Sequence, residues 1–203
     1  MTVAIVDYGM GNIKSIESAL KYLGIKNISL TNSYDILEKA DKLILPGVGS
    51  FRHAMDNIKA LNLDQSLHEL VINKKKPILG ICLGMQLMTK SSCEDGFTLG
   101  LNFIDAEVTR FEQNSFRIPH VGFNQVNVDS NLNLYHEMSG AVDFYFTHSY
   151  KVLSNQPLHQ CLCNYGSDFI ASFEVNNIAG VQFHPELSQH NGLKLLNNFI
   201  KRF

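Results

Sequence analysis

The chain has 203 residues, 45% of them hydrophobic and 18% charged, with 17 basic against 19 acidic groups and a formal net charge of −2. That composition excludes a disordered chain and gives no footing for a nucleic-acid or anionic-membrane partner. A chain of this length can bury a full core, and with no linker, repeat or low-complexity segment, residues 1–203 are expected to form one domain.

In chain order, Val3–Asp7 reads as a first strand, since no basic region precedes its short apolar run as a signal peptide requires. Asn12 to Leu23 reads as a helix, with Ile13, Ile16, Leu20 and Leu23 on one stripe and Gly24 as its stop. A strand near Ile28–Leu30, a helix near Tyr34–Lys39 and a strand over Lys42–Leu45 follow. Helices are expected near Arg52–Ile58 and Leu63–Asn73, then a strand entering Gly80. Strand alternating with helix predicts an α/β fold with a mostly parallel sheet between two helix layers. The second half is richer in strand: Phe103–Phe111, Gln125–Val128, Phe144–Phe146, Cys161–Asn164, Phe169–Val175 and Ala179–Phe183. An amphipathic helix carrying Leu193, Leu196, Phe199, Ile200 and Phe203 closes the chain. No apolar stretch approaches a membrane span.

Gly80-Ile81-Cys82-Leu83-Gly84 places a cysteine between glycines at minus two and plus two, on a turn from the apolar run Pro77-Ile78-Leu79 into a helix. This is the cysteine form of a nucleophile elbow. Such a turn strains the nucleophile's backbone and leaves no room for side chains nearby, while the helix start favours a thiolate. A partner stands in Val181-Gln182-Phe183-His184-Pro185-Glu186, where proline ends a short strand and puts His184 and Glu186 on the turn beyond it. In a parallel sheet those turns share one edge. Cys82 as nucleophile, His184 as base and Glu186 as orienter form a triad. A zinc deaminase also shows His-x-Glu but needs a later pair of cysteines, and none follows Cys163. A core histidine beside an exposed glutamate is the weaker reading.

Of the four cysteines, Cys82, Cys93, Cys161 and Cys163, two disulfides could be made. A core of this size needs no staples and a nucleophile must stay free, so a cytoplasmic chain is expected. Cys161 and Cys163 alternate on one strand face and read as small core residues rather than a metal pair, for want of a matching cluster; no metal or cofactor is expected.

These motifs, in order with Asp7-Tyr8-Gly9-Met10-Gly11-Asn12, Pro46-Gly47-Val48-Gly49, Ile118-Pro119-His120-Val121-Gly122 and Phe146-Thr147-His148-Ser149-Tyr150, resemble the class I glutamine amidotransferases over the whole length. Among these, the resemblance is to glutaminase subunits of imidazole glycerol phosphate synthase. It implies a flavodoxin-like three-layer sandwich that hydrolyses L-glutamine and hands ammonia to a (βα)8-barrel cyclase subunit, as a heterodimer. The Leu83 N–H after the nucleophile is one expected oxyanion donor. The resemblance makes the Val48 N–H the second, after a peptide flip, where the residues alone read as an ordinary Pro-Gly turn. It assigns Gly49, Gln86, Glu94 and the backbone at Ser149 and Tyr150 to glutamine binding, Glu94 facing the ammonium. The loop ending at Asn12 lacks the third glycine of a dinucleotide fingerprint, Lys14 standing there, and the resemblance turns it toward the synthase. Phe123 and Leu187 replace the family's usual tryptophan and lysine on that same face. A missing lysine removes a salt bridge to the partner, so a paralogue serving another ammonia-using synthase, such as one for surface-sugar amidination, stays open. So do a free-standing cysteine γ-glutamyl hydrolase and, against the complete triad, a non-catalytic regulatory subunit.

Overall fold

The structure is a computed structural model that describes residues 1–112 and 116–203. The first half alternates strand and helix: β1 (Thr2–Val6), α1 (Ile13–Tyr22), β2 (Asn27–Thr31), α2 (Tyr34–Lys39), β3 (Lys42–Leu45), α3 (Phe51–Ala60), α4 (Leu63–His68), β4 (Ile78–Ile81) and α5 (Leu83–Leu87). Then come β5 (Ser91–Ser92), β6 (Thr98–Leu99), β7 (Glu107–Arg110), β8 (His120–Val128), β9 (Gly140–His148), β10 (Tyr150–Leu153), β11 (Gln160–Asn164), β12 (Asp168–Val175), β13 (Ile178–Val181) and α6 (Gln189–Arg202).

Among the described residues, nine strands form the central sheet in the order β2-β1-β3-β4-β13-β12-β11-β8-β9, and β10-β7-β5-β6 form a smaller one. The pairings from β2 to β13 are parallel and those from β13 to β9 antiparallel. The parallel character expected of the central sheet is therefore confined to its first five strands, and the strand-rich second half supplies the antiparallel remainder. Side-chain alternation along the parallel strands feeds two cores. Ala4, Val6, Leu43 and Leu45 pack with Met55, Ile58 and Leu67 on one face. Val3, Ile5, Ile44 and Leu79 pack with Ile16, Leu20, Leu196 and Phe199 on the other. Helices on both faces leave the parallel strands no wet side, which is why they read as apolar runs.

Several boundaries depart from expectation. The strand expected over Phe103–Phe111 is confined to Glu107–Arg110. The apolar residues before it bury their side chains, but their backbone turns back on α5, with Leu101 N donating to Leu87 O at 2.8 Å and Phe103 N to Met88 O at 2.8 Å. The helix expected over Leu63–Asn73 is α-helical only to His68 and continues as a wider π-turn over Glu69–Asn73. The strand expected over Ala179–Phe183 ends at Val181. Strands β8 and β9 run longer than their apolar centres suggest, and β10, β5 and β6 were not foreseen.

Three neighbouring strands, β3, β4 and β13, point their C-terminal ends at one place. Pro46 to Gly49 leave the first, Cys82 the second and Gln182 to His184 the third. Chain reversals at the carboxyl ends of parallel strands gather side chains there, as in other open α/β sheets.

Candidate active site

Cys82 joins β4 to α5 with φ +54°, outside the range a side-chain-bearing residue adopts without strain. Two hydrogen bonds hold it there: its N–H donates to Val181 O at 2.7 Å and its carbonyl accepts from Gln86 N at 3.2 Å. The glycine two residues on is obligatory for steric reasons, because a Cβ on Gly84 would stand 1.9 Å from the Leu45 carbonyl oxygen. A Cβ on Gly47 would stand 2.7 Å from Gly84 N, so the loop after β3 rests directly on the elbow. Tyr8, from the loop after β1, locks the same contact by donating its buried hydroxyl to Pro46 O at 2.6 Å.

His184 lies just past β13, its N–H donating to Tyr145 O at 2.8 Å. Its Nδ1 meets Glu186 Oε1 at 2.9 Å, with both side chains buried. A proton on Nδ1 shared with the carboxylate leaves Nε2 as the free ring nitrogen, and that atom is buried without a hydrogen bond among the described residues. Burial opposes a charge on this ring, but Cys82 and Glu186 outweigh it and raise its pKa to about 10. The ring is thereby held ready to carry a proton beside the sulfur. Asn12 brings its Nδ2 to 3.4 Å from the same Glu186 oxygen, so this residue, expected on the partner face, also stands beside the triad carboxylate.

A cavity of about 340 Å³, within the range of small-molecule sites, opens over the sulfur. It is lined by Val48, Gly49, Leu83, Gln86, Glu94, Ser149 and Tyr150 together with Cys82 and His184, so every residue expected for oxyanion or glutamine binding is there. Leu83 sits at the start of α5, and Val48 is exposed on its loop. Glu94 is half-buried, and burial raises its carboxyl's pKa; its Oε2 accepts from Phe51 N at 2.9 Å at the start of α3. The Tyr150 carbonyl is already used, accepting from Gln86 Nε2 at 3.1 Å and from His148 Nδ1 at 2.8 Å. Phe123 and Leu187 do not line the cavity. Phe123 is exposed and stacks edge-on to Tyr145 at 5.5 Å, and Leu187, also exposed, donates its N–H to His184 O at 3.0 Å. Leu187 thus touches the histidine's backbone directly, and Phe123 reaches it only through Tyr145, whose carbonyl accepts from His184 N.

Sequence reasoning quoted Thr147, His148, His120 and Gln182 within motifs but gave them no role, nor Pro119, which also lines the cavity. Thr147 and His148 line the cavity, and the Cys82 thiol donates to Thr147 O at 3.9 Å. His148 Nε2 lies 3.0 Å from His120 Nδ1, and His120 Nε2 lies 3.3 Å from Asn124 Nδ2. The Tyr150 carbonyl can only accept, so His148 carries its proton on Nδ1 and accepts at Nε2. His120 must then donate from Nδ1 and accept at Nε2 from Asn124. Both rings are neutral in that chain. Burial lowers the pKa of His120 to about 4 and, against the Tyr150 bond, that of His148 to about 3, with His120 and His184 each further opposing a positive charge on His148 when they carry one. His120 is also sandwiched between Tyr165 at 3.9 Å and Phe146 at 4.8 Å. Cys161 and Cys163 are buried and unpaired, as read from their alternation.

The chain belongs to the class I glutamine amidotransferases: the family model described as "Glutamine amidotransferase class-I" matches residues 4–203. It is an enzyme of that glutamine-hydrolysing family. Its place within the family is with the HisH subunits of imidazole glycerol phosphate synthase. It is 45% identical over 200 residues to "Imidazole glycerol phosphate synthase subunit HisH 1" of Campylobacter jejuni (strain RM1221), covering 98% of this chain and 99% of the relative. It is 39% identical over 203 residues to subunit HisH of Aquifex aeolicus (strain VF5), covering 100% and 97%. A solved structure of PurLQS from Thermotoga maritima shares the fold at a TM-score of 0.74 and 16% identity, over 98% of this chain and 97% of that one.

Proposed function

We propose that the chain is the glutaminase subunit of an imidazole glycerol phosphate synthase, one domain over residues 1–203 working in the cytoplasm beside a (βα)8-barrel cyclase. The observation that carries this is the meeting of a strained Cys82 with His184, itself held by Glu186, at one cavity of about 340 Å³. The Cys82 thiolate attacks the glutamine carboxamide carbon, and the Leu83 and Val48 N–H groups stabilise the resulting oxyanion. The His184 imidazolium gives its proton to the departing ammonia, leaving a thioester. A water, deprotonated by His184, then attacks the thioester and frees glutamate and the thiolate. Gly49, Gln86, Glu94 and the Ser149–Tyr150 backbone hold the substrate's amino-acid end, the half-buried Glu94 taking its ammonium.

The test is the steady-state glutaminase rate with and without the cyclase subunit. A subunit that wastes no glutamine holds one oxyanion donor turned away until its partner docks, so the isolated chain should be slower by ~100-fold or more. Equal rates would point to a free-standing γ-glutamyl hydrolase. The exposed Phe123 and Leu187, standing where the family usually has tryptophan and lysine, favour a second reading in which the docking face is matched to a different ammonia-using synthase. Activation by that synthase alone would establish it.

A further inference from the structure

Gln182 is the first residue beyond β13, completely buried, and the mechanism above gives it no part. Its neighbours Val181 and Phe183 are apolar core residues, so a side-chain amide here is an expensive choice unless all its polar atoms are used. They are used on one line. Gln182 Oε1 lies 2.9 Å from Gln86 Nε2, and Gln182 Nε2 lies 3.7 Å from Cys82 Sγ.

Which end of the amide faces the sulfur follows from a backbone atom. The Tyr150 carbonyl accepts from Gln86, so the Gln86 group beside it is the NH2. The second N–H of that NH2 points at Gln182, which must answer with its oxygen. The nitrogen of Gln182 is thereby turned to Cys82. The thiol form of Cys82 donates to Thr147 O, whereas a thiolate meets that carbonyl as a repelling dipole and needs a donor instead.

Resting on the reading of Cys82 as nucleophile, we propose that Gln182 is a catalytic residue whose Nε2–H donates to the Cys82 sulfur and stabilises the attacking thiolate. His184 takes the proton and supplies charge, and Gln182, two residues before it at the end of β13, supplies a fixed neutral dipole. A neutral donor gives up less nucleophilicity than a second cation at the sulfur, and its bond relaxes once the sulfur becomes a thioester. The substrate-lining Gln86 sets its orientation, which links the glutamine pocket to the nucleophile.

The test is the pH dependence of Cys82 alkylation by iodoacetamide, read by peptide mapping, in the full-length protein. The titratable groups facing the sulfur or its cavity are His184 after β13, Tyr8 after β1, His148 at the end of β9 and Glu94, with Glu186 behind His184, and all are retained. Gln182→Met keeps the volume and removes the donor. The half-point of the profile should rise by about 1 pH unit. Gln182→Glu keeps the acceptor for Gln86 but sets a carboxylate against the sulfur, and its half-point should rise further, with glutamine turnover falling in step. Folded variants with the wild-type half-point would overturn the proposal and leave Gln182 a structural residue. If Cys82 is not the fast-reacting thiol in the wild type, the glutaminase reading itself fails. Should neither variant fold, the Gln182 side-chain amide signal in 15N NMR of the wild type decides: it should move as Cys82 ionises, and an amide indifferent to that titration would refute the bond.

Discussion

Asn12 Nδ2 and His184 Nδ1 meet the same oxygen of Glu186, at 3.4 and 2.9 Å. The carboxylate that orients the histidine is thus itself held from the loop after β1. Asn12→Ala removes one long hydrogen bond and should lower kcat about 5-fold, the equivalent of about 1 kcal/mol. Glu186→Ala should lower it much further. An Asn12→Ala enzyme with unchanged kcat but weaker cyclase binding would instead make Asn12 purely a residue of the partner face.

Cys82→Ala should abolish glutamine-dependent synthesis by the complex while leaving synthesis from added ammonium salt intact, since only the ammonia source is lost. Circular dichroism should show the fold retained. Glutamine-dependent turnover near the wild-type level would remove Cys82 from the mechanism.

The elbow was legible because its constraints are local. Gly80 and Gly84 flank the cysteine for steric reasons that adjacent backbone imposes, and the short apolar strand before His184 brings it to the same sheet edge, although that strand ends at Val181 and not at Pro185. The alternation of strand and helix gave the parallel strands, since both faces are buried and each reads as an apolar run. Phe103 to Ala106 misled because burial of apolar side chains does not require ladder pairing. The His120–His148 pair was illegible because the two belong to β8 and β9 and meet only through the register of that hairpin, His120 facing His148. Gln182 left one signal, a lone amide within an otherwise apolar strand end.

Gly84→Ala tests the close approach of elbow and oxyanion loop. Its Cβ meets the Leu45 carbonyl oxygen, a backbone atom that cannot swing aside. The variant should lose about 3 kcal/mol or more of stability or fail to fold, as measured by urea denaturation. A near-native midpoint would show that the loop after β3 can withdraw.

The histidine chain gives a pH signature. The folded values of His120 and His148 lie below the ordinary 6.5, so the unfolded chain takes up protons that the folded chain refuses. Their effect is absent above about pH 6.5, and stability falls as pH drops from there toward about 4 and 3. Each contributes a slope of about 1.4 kcal/mol per pH unit within its window. His148→Gln offers a donor to Tyr150 O and an acceptor to His120 without titrating. Its denaturation midpoint should fall less steeply between pH 6.5 and 4.5 than that of the wild type, and parallel curves would contradict the neutral chain.

Whether Cys82 is a nucleophile prepared by its surroundings can be read by labelling the protein with a glutamine-mimicking diazo ketone and mapping the modified peptide. Cys93 is the exposed thiol, whereas Cys82 is only 6% exposed. Accessibility alone would therefore direct the label to Cys93. Cys82 should instead be labelled stoichiometrically at neutral pH, and excess L-glutamine should suppress the labelling. Label on Cys93, Cys161 or Cys163 first, with Cys82 left free, would contradict this expectation.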